Sequence, residues 1–141
     1  MSSCPTLLKA GEKGYLYTEH GHGLNDVTDF NGLTVIPKKV ETFTSEFIEY
    51  EVSDLAIEED VYGVVLSGNI TYKSDSDASF FSVDVVYYDK QGDVITIVAA
   101  FPDNMAPGET VTFQTSGYNM PDGVTLDMIG DYKVFARDYL W

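Results

Sequence analysis

The sequence predicts an all-β domain, a sandwich or a small barrel, on three observations. Apolar residues recur with a period of two along most of the chain, which is the signature of half-buried strands. Turn signals arrive every 10 to 20 residues, the spacing of a sheet-rich fold. Helix signals are thin, and none spans enough turns to nucleate without tertiary support.

The elements follow in chain order. Residues 1 to 28, rich in Gly and polar side chains, read as an N-terminal arm or extra strand outside the core. Within them, Thr6–Ala10 has the composition of a turn. Residues 29–141 read as the sandwich domain. Leu33-Thr34-Val35-Ile36 is a strand that Pro37 stops or confines to an edge, because proline has no N–H for a ladder. Phe47 to Val52 is a second strand, with Glu49 and Glu51 on an exposed face. Asp54 to Asp60 has the pattern of a short helix with Asp54 as N-cap. From Val64 to Lys73, Val64, Leu66, Gly68, Ile70 and Tyr72 share one face. From Phe81 to Asp89, Phe81, Val83, Val85 and Tyr87 face inward, while Asp84 and Tyr88 face outward. Val94 to Phe101 is apolar on both faces and is expected to be a central, doubly covered strand. Thr110 to Gln114 points Val111 and Phe113 inward. Asp131 to Tyr139 closes the set.

The punctuation has its own chemistry. Asp89-Lys90-Gln91-Gly92 suits a hairpin with a type I turn and a left-handed Gly92. Ala106-Pro107-Gly108-Glu109 places Pro and Gly where a type II turn wants them. Met120-Pro121-Asp122-Gly123 is a third turn of this kind, and Ser74-Asp75-Ser76-Asp77 is a polar loop.

Composition narrows the function classes. The 141 residues carry 8 Lys+Arg against 23 Asp+Glu, a formal net charge of −15. Nucleic acid and anionic membrane both need a basic footprint, so neither is an expected partner. The chain is 44% hydrophobic and 13% aromatic, which argues against intrinsic disorder despite the charge. The acids are scattered, and the densest run is Glu58-Glu59-Asp60. That dispersion suits a solvated surface that keeps sheet edges apart. One Cys allows no internal disulfide framework.

Several segments between residues 30 and 135 carry a resemblance. They are Gly32-Leu33-Thr34-Val35 with Lys39-Val40-Glu41, and Val65-Leu66-Ser67-Gly68-Asn69-Ile70-Thr71-Tyr72-Lys73-Ser74-Asp75. They continue with Val85-Val86-Tyr87-Tyr88-Asp89 and Gly92, and with Ala106-Pro107-Gly108-Glu109 and Phe113. Together these resemble FxLYD-type and related telokin-like domains of bacterial secreted proteins and lipoproteins. Val85 stands where the signature has Phe, and Tyr87 where it has Leu. The resemblance implies an immunoglobulin-like β-sandwich of about seven strands, extracytoplasmic and non-enzymatic, and it carries over no catalytic residue.

His20 and His22, in Glu19-His20-Gly21-His22-Gly23, would share one face of a strand and could hold a metal. The flanking glycines favour an ordinary polar loop, since a tight site needs a fixed third ligand. Asp75 and Asp77 are candidate calcium ligands two residues apart, without the twelve-residue spacing of an EF-hand. No G-x-S-x-G elbow exists, and Thr115-Ser116-Gly117-Tyr118 is the nearest approach. No catalytic residue and no cofactor is expected. The 10 Tyr, 8 Phe and 1 Trp leave rings for a contact surface, and Tyr15, Tyr17, Tyr88 and Trp141 are its candidates. Tyr is equally an ordinary strand residue.

No run approaches the roughly 18 apolar residues of a transmembrane helix. The first residues show no basic and apolar leader, and Cys4 after Ser2-Ser3 is either a lipid-attachment candidate or a free terminal thiol. The expectation is a non-catalytic domain outside the cytoplasm or attached to the cell envelope, mediating protein or ligand interaction. A calcium-binding module is the alternative, and a small hydrolase a more distant one. A cytoplasmic location is the alternative placement.

Overall fold

Among the described residues, alternation of apolar side chains produces strands, and pairing then decides their neighbours. The computed structural model describes residues 2–4, 11, 13–17, 49–73, 75, 81–102 and 105–138. Eight strands lie within them: β1 (Ser2–Cys4), β2 (Tyr15–Tyr17), β3 (Tyr50–Asp60), β4 (Gly63–Tyr72), β5 (Phe81–Asp89), β6 (Val94–Ala100), β7 (Thr110–Gln114) and β8 (Ile129–Asp138). Thr6–Ala10, Leu33–Ile36 and Phe47-Ile48 fall outside the described residues.

The strands form two three-stranded antiparallel sheets, ordered β3-β4-β7 and β6-β5-β8, and a separate ribbon β1-β2. Two hairpins, β3–β4 and β5–β6, belong to different sheets. Strand β7 then returns beside β4, and β8 beside β5. This order coincides with the A-B-E and C′-C-F strands of an immunoglobulin-like sandwich. Six strands, rather than about seven, make up the two sheets among the described residues.

One core joins the two inner faces. Val64, Leu66, Ile70 and Tyr72 of β4 and Phe113 of β7 meet Val83, Val85 and Tyr87 of β5, Val98 and Ala100 of β6, and Ala136 of β8. Met105 and Met120 enter the same core from the connections. The two sheets are also tied by polar groups. The Tyr87 hydroxyl lies 3.3 Å from Thr115 Oγ1, and Thr115 Oγ1 accepts the Leu66 N–H at 2.9 Å. A buried backbone donor at β4 is thereby satisfied from beyond β7.

The turns match their chemistry. Gly92 (φ 89°) donates to the Asp89 carbonyl, and Gly108 (φ 77°) precedes the Glu109 N–H that bonds the Ala106 carbonyl. The third turn sits one residue later than its sequence suggests: Val124 N–H closes on the Pro121 carbonyl, with Gly123 at φ 82°.

Three expectations are corrected. Asp54–Asp60 is not a helix but the second half of β3. Residues 56–60 pair in register with β4, and a bulge separates them from Ser53. Asp54 sits at that bulge with φ 53°, its carboxylate accepting from Asn69 Nδ2 at 2.9 Å. A short polar side chain tolerates this left-handed geometry better than most, and one helical turn is outcompeted by a full ladder. Strand β6 is not central. Among the described residues it is the edge of its sheet, with Val94 and Phe101 exposed, and β5 is the centre. An apolar run on both faces does not distinguish the two positions. Asp84 keeps its outward phase yet is fully buried, as are Ser82 and Val86 on the same face, with Tyr88 nearly so. Part of that face is covered by Tyr15 of β2, packed with Ile97 and Phe135 on Val86 and Tyr88.

Strand β3, an edge among the described strands, exposes Glu51, Glu58 and Glu59. Like charges on an edge oppose pairing with a second copy. With a pI near 4.1, solubility is expected to pass through a minimum close to pH 4. Light scattering across pH 3–7 checks this, and undiminished solubility at pH 4 would assign the protection to something other than charge.

Candidate interaction site at the aromatic tip

The hairpin β3–β4 turns through only two residues, Val61 and Tyr62, between the paired Asp60 and Gly63. Asp60 shapes this turn. Its Oδ1 accepts the N–H of Tyr62 at 2.7 Å and of Gly63 at 3.1 Å, the local side-chain bonding that aspartate favours in turns. The positive φ falls on Gly63, at 137°, so neither side-chain-bearing turn residue has to adopt it.

A second segment closes against this turn. After β7 the chain makes a single 3-10 turn, Gly117–Asn119. A Cβ on Gly63 would lie 2.9 Å from the Gly117 carbonyl oxygen. A Cβ on Gly117 would lie 2.9 Å from both Asp60 Oδ1 and Gly63 N. Backbone meets backbone here, which only the paired absence of side chains permits. Leu126 N–H adds a tie by donating to Glu59 Oε2 at 2.8 Å, and Met120 is buried in the core beside Gly63.

This close approach brings two rings together. Tyr62 and Tyr118 stack with centroids 3.9 Å apart and planes inclined at 26°. Tyr62 is 55% exposed, Tyr118 70% and Val61 89%. A stacked pair occupies one face of each ring and leaves the rest to solvent. The Tyr118 hydroxyl is held above the ordinary phenol range, chiefly by its hydrogen bond with Tyr62, then by partial burial and the negative charge of Asp60. Rigid, amphipathic rings projecting from a braced turn present large contact area at low cost in side-chain entropy.

The sequence-derived candidates fall differently. Tyr88 is buried, and its hydroxyl bonds that of Tyr15. Tyr15 also packs edge-on to Tyr88 at 6.2 Å and tilted to Phe135 at 6.4 Å, while Lys133 Nζ lies 5.6 Å from the Tyr88 ring centroid. Both rings are thus engaged within the chain: Tyr88 is corrected from an exposed contact residue to part of a covered face, and Tyr15 is half-buried against it. Tyr17 lies in β2, paired with Ser2, and its side chain is outside the described set. Trp141, Asp77, His20 and His22 lie outside the described residues. Asp75 is exposed in the loop after β4. Among the described residues, no group of three His, Cys, Asp or Glu is placed to hold a metal ion, and no helix is long and apolar enough to cross a membrane.

The sequence alone does not single out Tyr62 and Tyr118 as contact residues. The available signal was position: both lie in segments dense in turn residues, Asp60-Val61-Tyr62-Gly63 and Ser116-Gly117-Tyr118-Asn119. An aromatic residue at a turn has no strand face to explain it. Comparison of the chain with protein-family models, curated proteins and solved structures finds no match.

Proposed function

We propose that the chain is a non-catalytic interaction domain, working outside the cytoplasm or on the cell envelope, that binds its partner through the aromatic tip. The observation that carries this reading is the exposed, stacked Tyr62–Tyr118 pair beside Val61. Its rings are aligned by backbone contacts rather than by core packing, so the exposure is built into the fold. The resemblance to FxLYD-type domains supports the location outside the cytoplasm and the absence of catalysis.

The test is chemical-shift mapping of the 15N-labelled chain against four probes: a tetra-arginine peptide, a tetra-glutamate peptide, a Gly-Ser peptide and cellohexaose. The expected result is saturable perturbation centred on residues 60–63 and 116–119 by at least one probe, with every probe recovered intact by mass spectrometry. Perturbation confined to other surfaces, or cleavage of a probe, would overturn the reading.

A further inference from the structure

Resting on that reading, we infer that the tip recognises a cationic segment of a partner protein, an Arg- or Lys-bearing peptide whose charged groups stack on Tyr62 and Tyr118. Charge complementarity selects this occupant. The strand that leads to the tip ends in Glu58, Glu59 and Asp60, and residues 49–63 contain no Lys or Arg; Glu51, toward the far end of β3, is paired with Lys73 at 3.2 Å. The other wall, residues 114–130, carries Asp122 and Asp127, again with no Lys or Arg. Glu58, Glu59, Asp122 and Asp127 are exposed. The neighbouring β5–β6 turn has one base, Lys90, set between Asp89 and Asp93.

The aromatic pair supplies what an acidic surface lacks. Carboxylates alone attract any cation weakly and without geometry, and salt screens them. A ring face adds an oriented attraction for a planar guanidinium or an ammonium, through the negative π-cloud and by desolvating the stem. Asp60 is positioned to reinforce it. Its carboxylate is fixed by two backbone N–H groups, and its charge is felt at the Tyr118 hydroxyl. An anionic ligand would meet the same field with the opposite sign. A neutral sugar could use the rings but would draw nothing from the carboxylates around them.

Titration calorimetry with the tetra-arginine and Gly-Ser peptides tests this, at about 20 and 300 mM salt, with NMR to locate the site. The tetra-arginine peptide is expected to bind at the tip, the Gly-Ser peptide not. Its affinity should fall at the higher salt concentration, where the Debye length shrinks. Tyr118→Ala is expected to weaken binding about two- to fivefold, the range of an exposed cation–π contact, and Tyr118→Phe to retain it. Tyr118 is mostly exposed, so the parent spectrum away from the tip should persist in both variants. If cellohexaose perturbs the tip and tetra-arginine does not, the cationic partner is wrong and the interaction site stands. If tetra-arginine binds equally well to Tyr118→Ala, the rings play no part and the inference fails. If no probe perturbs the tip, the inference and the proposed function fall together.

Discussion

A Tyr87→Ala chain is expected to lose about 3–5 kcal/mol of unfolding free energy, a large share of the about 5–15 kcal/mol that holds a domain folded. Tyr87 is fully buried in β5, inside the core shared by both sheets. Its removal would open a cavity between layers that cannot collapse without moving a ladder. Tyr87→Phe separates packing from polarity. The ring stays, Thr115 Oγ1 still accepts from Leu66 N–H, and the cost is expected to be about 1 kcal/mol.

The same residue predicts a pH dependence. Burial raises the Tyr87 hydroxyl above its ordinary value of 10.0. The Thr115 bond opposes this in part, and the neighbouring Tyr132 adds to it. The folded state then holds the proton more tightly than the unfolded chain does. The contribution to stability is complete below pH 10 and is lost as pH rises through the folded-state value. Urea unfolding between pH 8 and 11 should show stability falling faster above pH 10 in the parent than in Tyr87→Phe. Parallel curves would place the buried titration elsewhere.

Gly63→Ala carries the second large effect, an expected loss of about 2–4 kcal/mol. Two causes coincide there. At φ 137° any Cβ is strained, and it would stand 2.9 Å from the Gly117 carbonyl oxygen, which is backbone and cannot rotate away. Gly92→Ala is the matched control, with φ 89° but no atom within 4 Å of the added carbon. It is expected to cost only the conformational strain, about 1–2 kcal/mol. Gly63→Ala should also part Tyr62 from Tyr118 and change the tyrosine near-ultraviolet dichroism, which Gly92→Ala should leave alone. Equal losses for the two variants would mean that the hairpin and the 3-10 turn are not in contact as described.

The strands were legible where a local rule decides them. Phe81–Asp89 and Thr110–Gln114 were bounded to the residue, because alternation and Pro-Gly or Asp-Gly turn chemistry act within a few residues. The short-range pattern of Asp54–Asp60 suits a helical turn, while the ladder with β4 that overrides it is a pairing partner's contribution. The aromatic tip was illegible for a related reason. Residues 62 and 118 are 56 positions apart, and nothing in either segment announces the other. Their stack exists because Gly63 and Gly117 let two backbones touch, a contact between loops of non-adjacent elements.

The sequence by itself determined the all-β class, the inward residues of β4 and β5, and the turns at 89–92 and 106–109. Each of these depends on the period of a strand or on the φ preferences of Gly, Pro and Asp, which are properties of short segments. The assembled layers decided which strands became edges, why Asp84 is buried although it faces outward, and which tyrosines meet solvent. Burial is a property of what lies across from a residue, and the covering residue comes from elsewhere in the chain: Tyr15 is 73 positions from Tyr88. The period of a strand says which way a side chain points; only the packing around it says whether water is there.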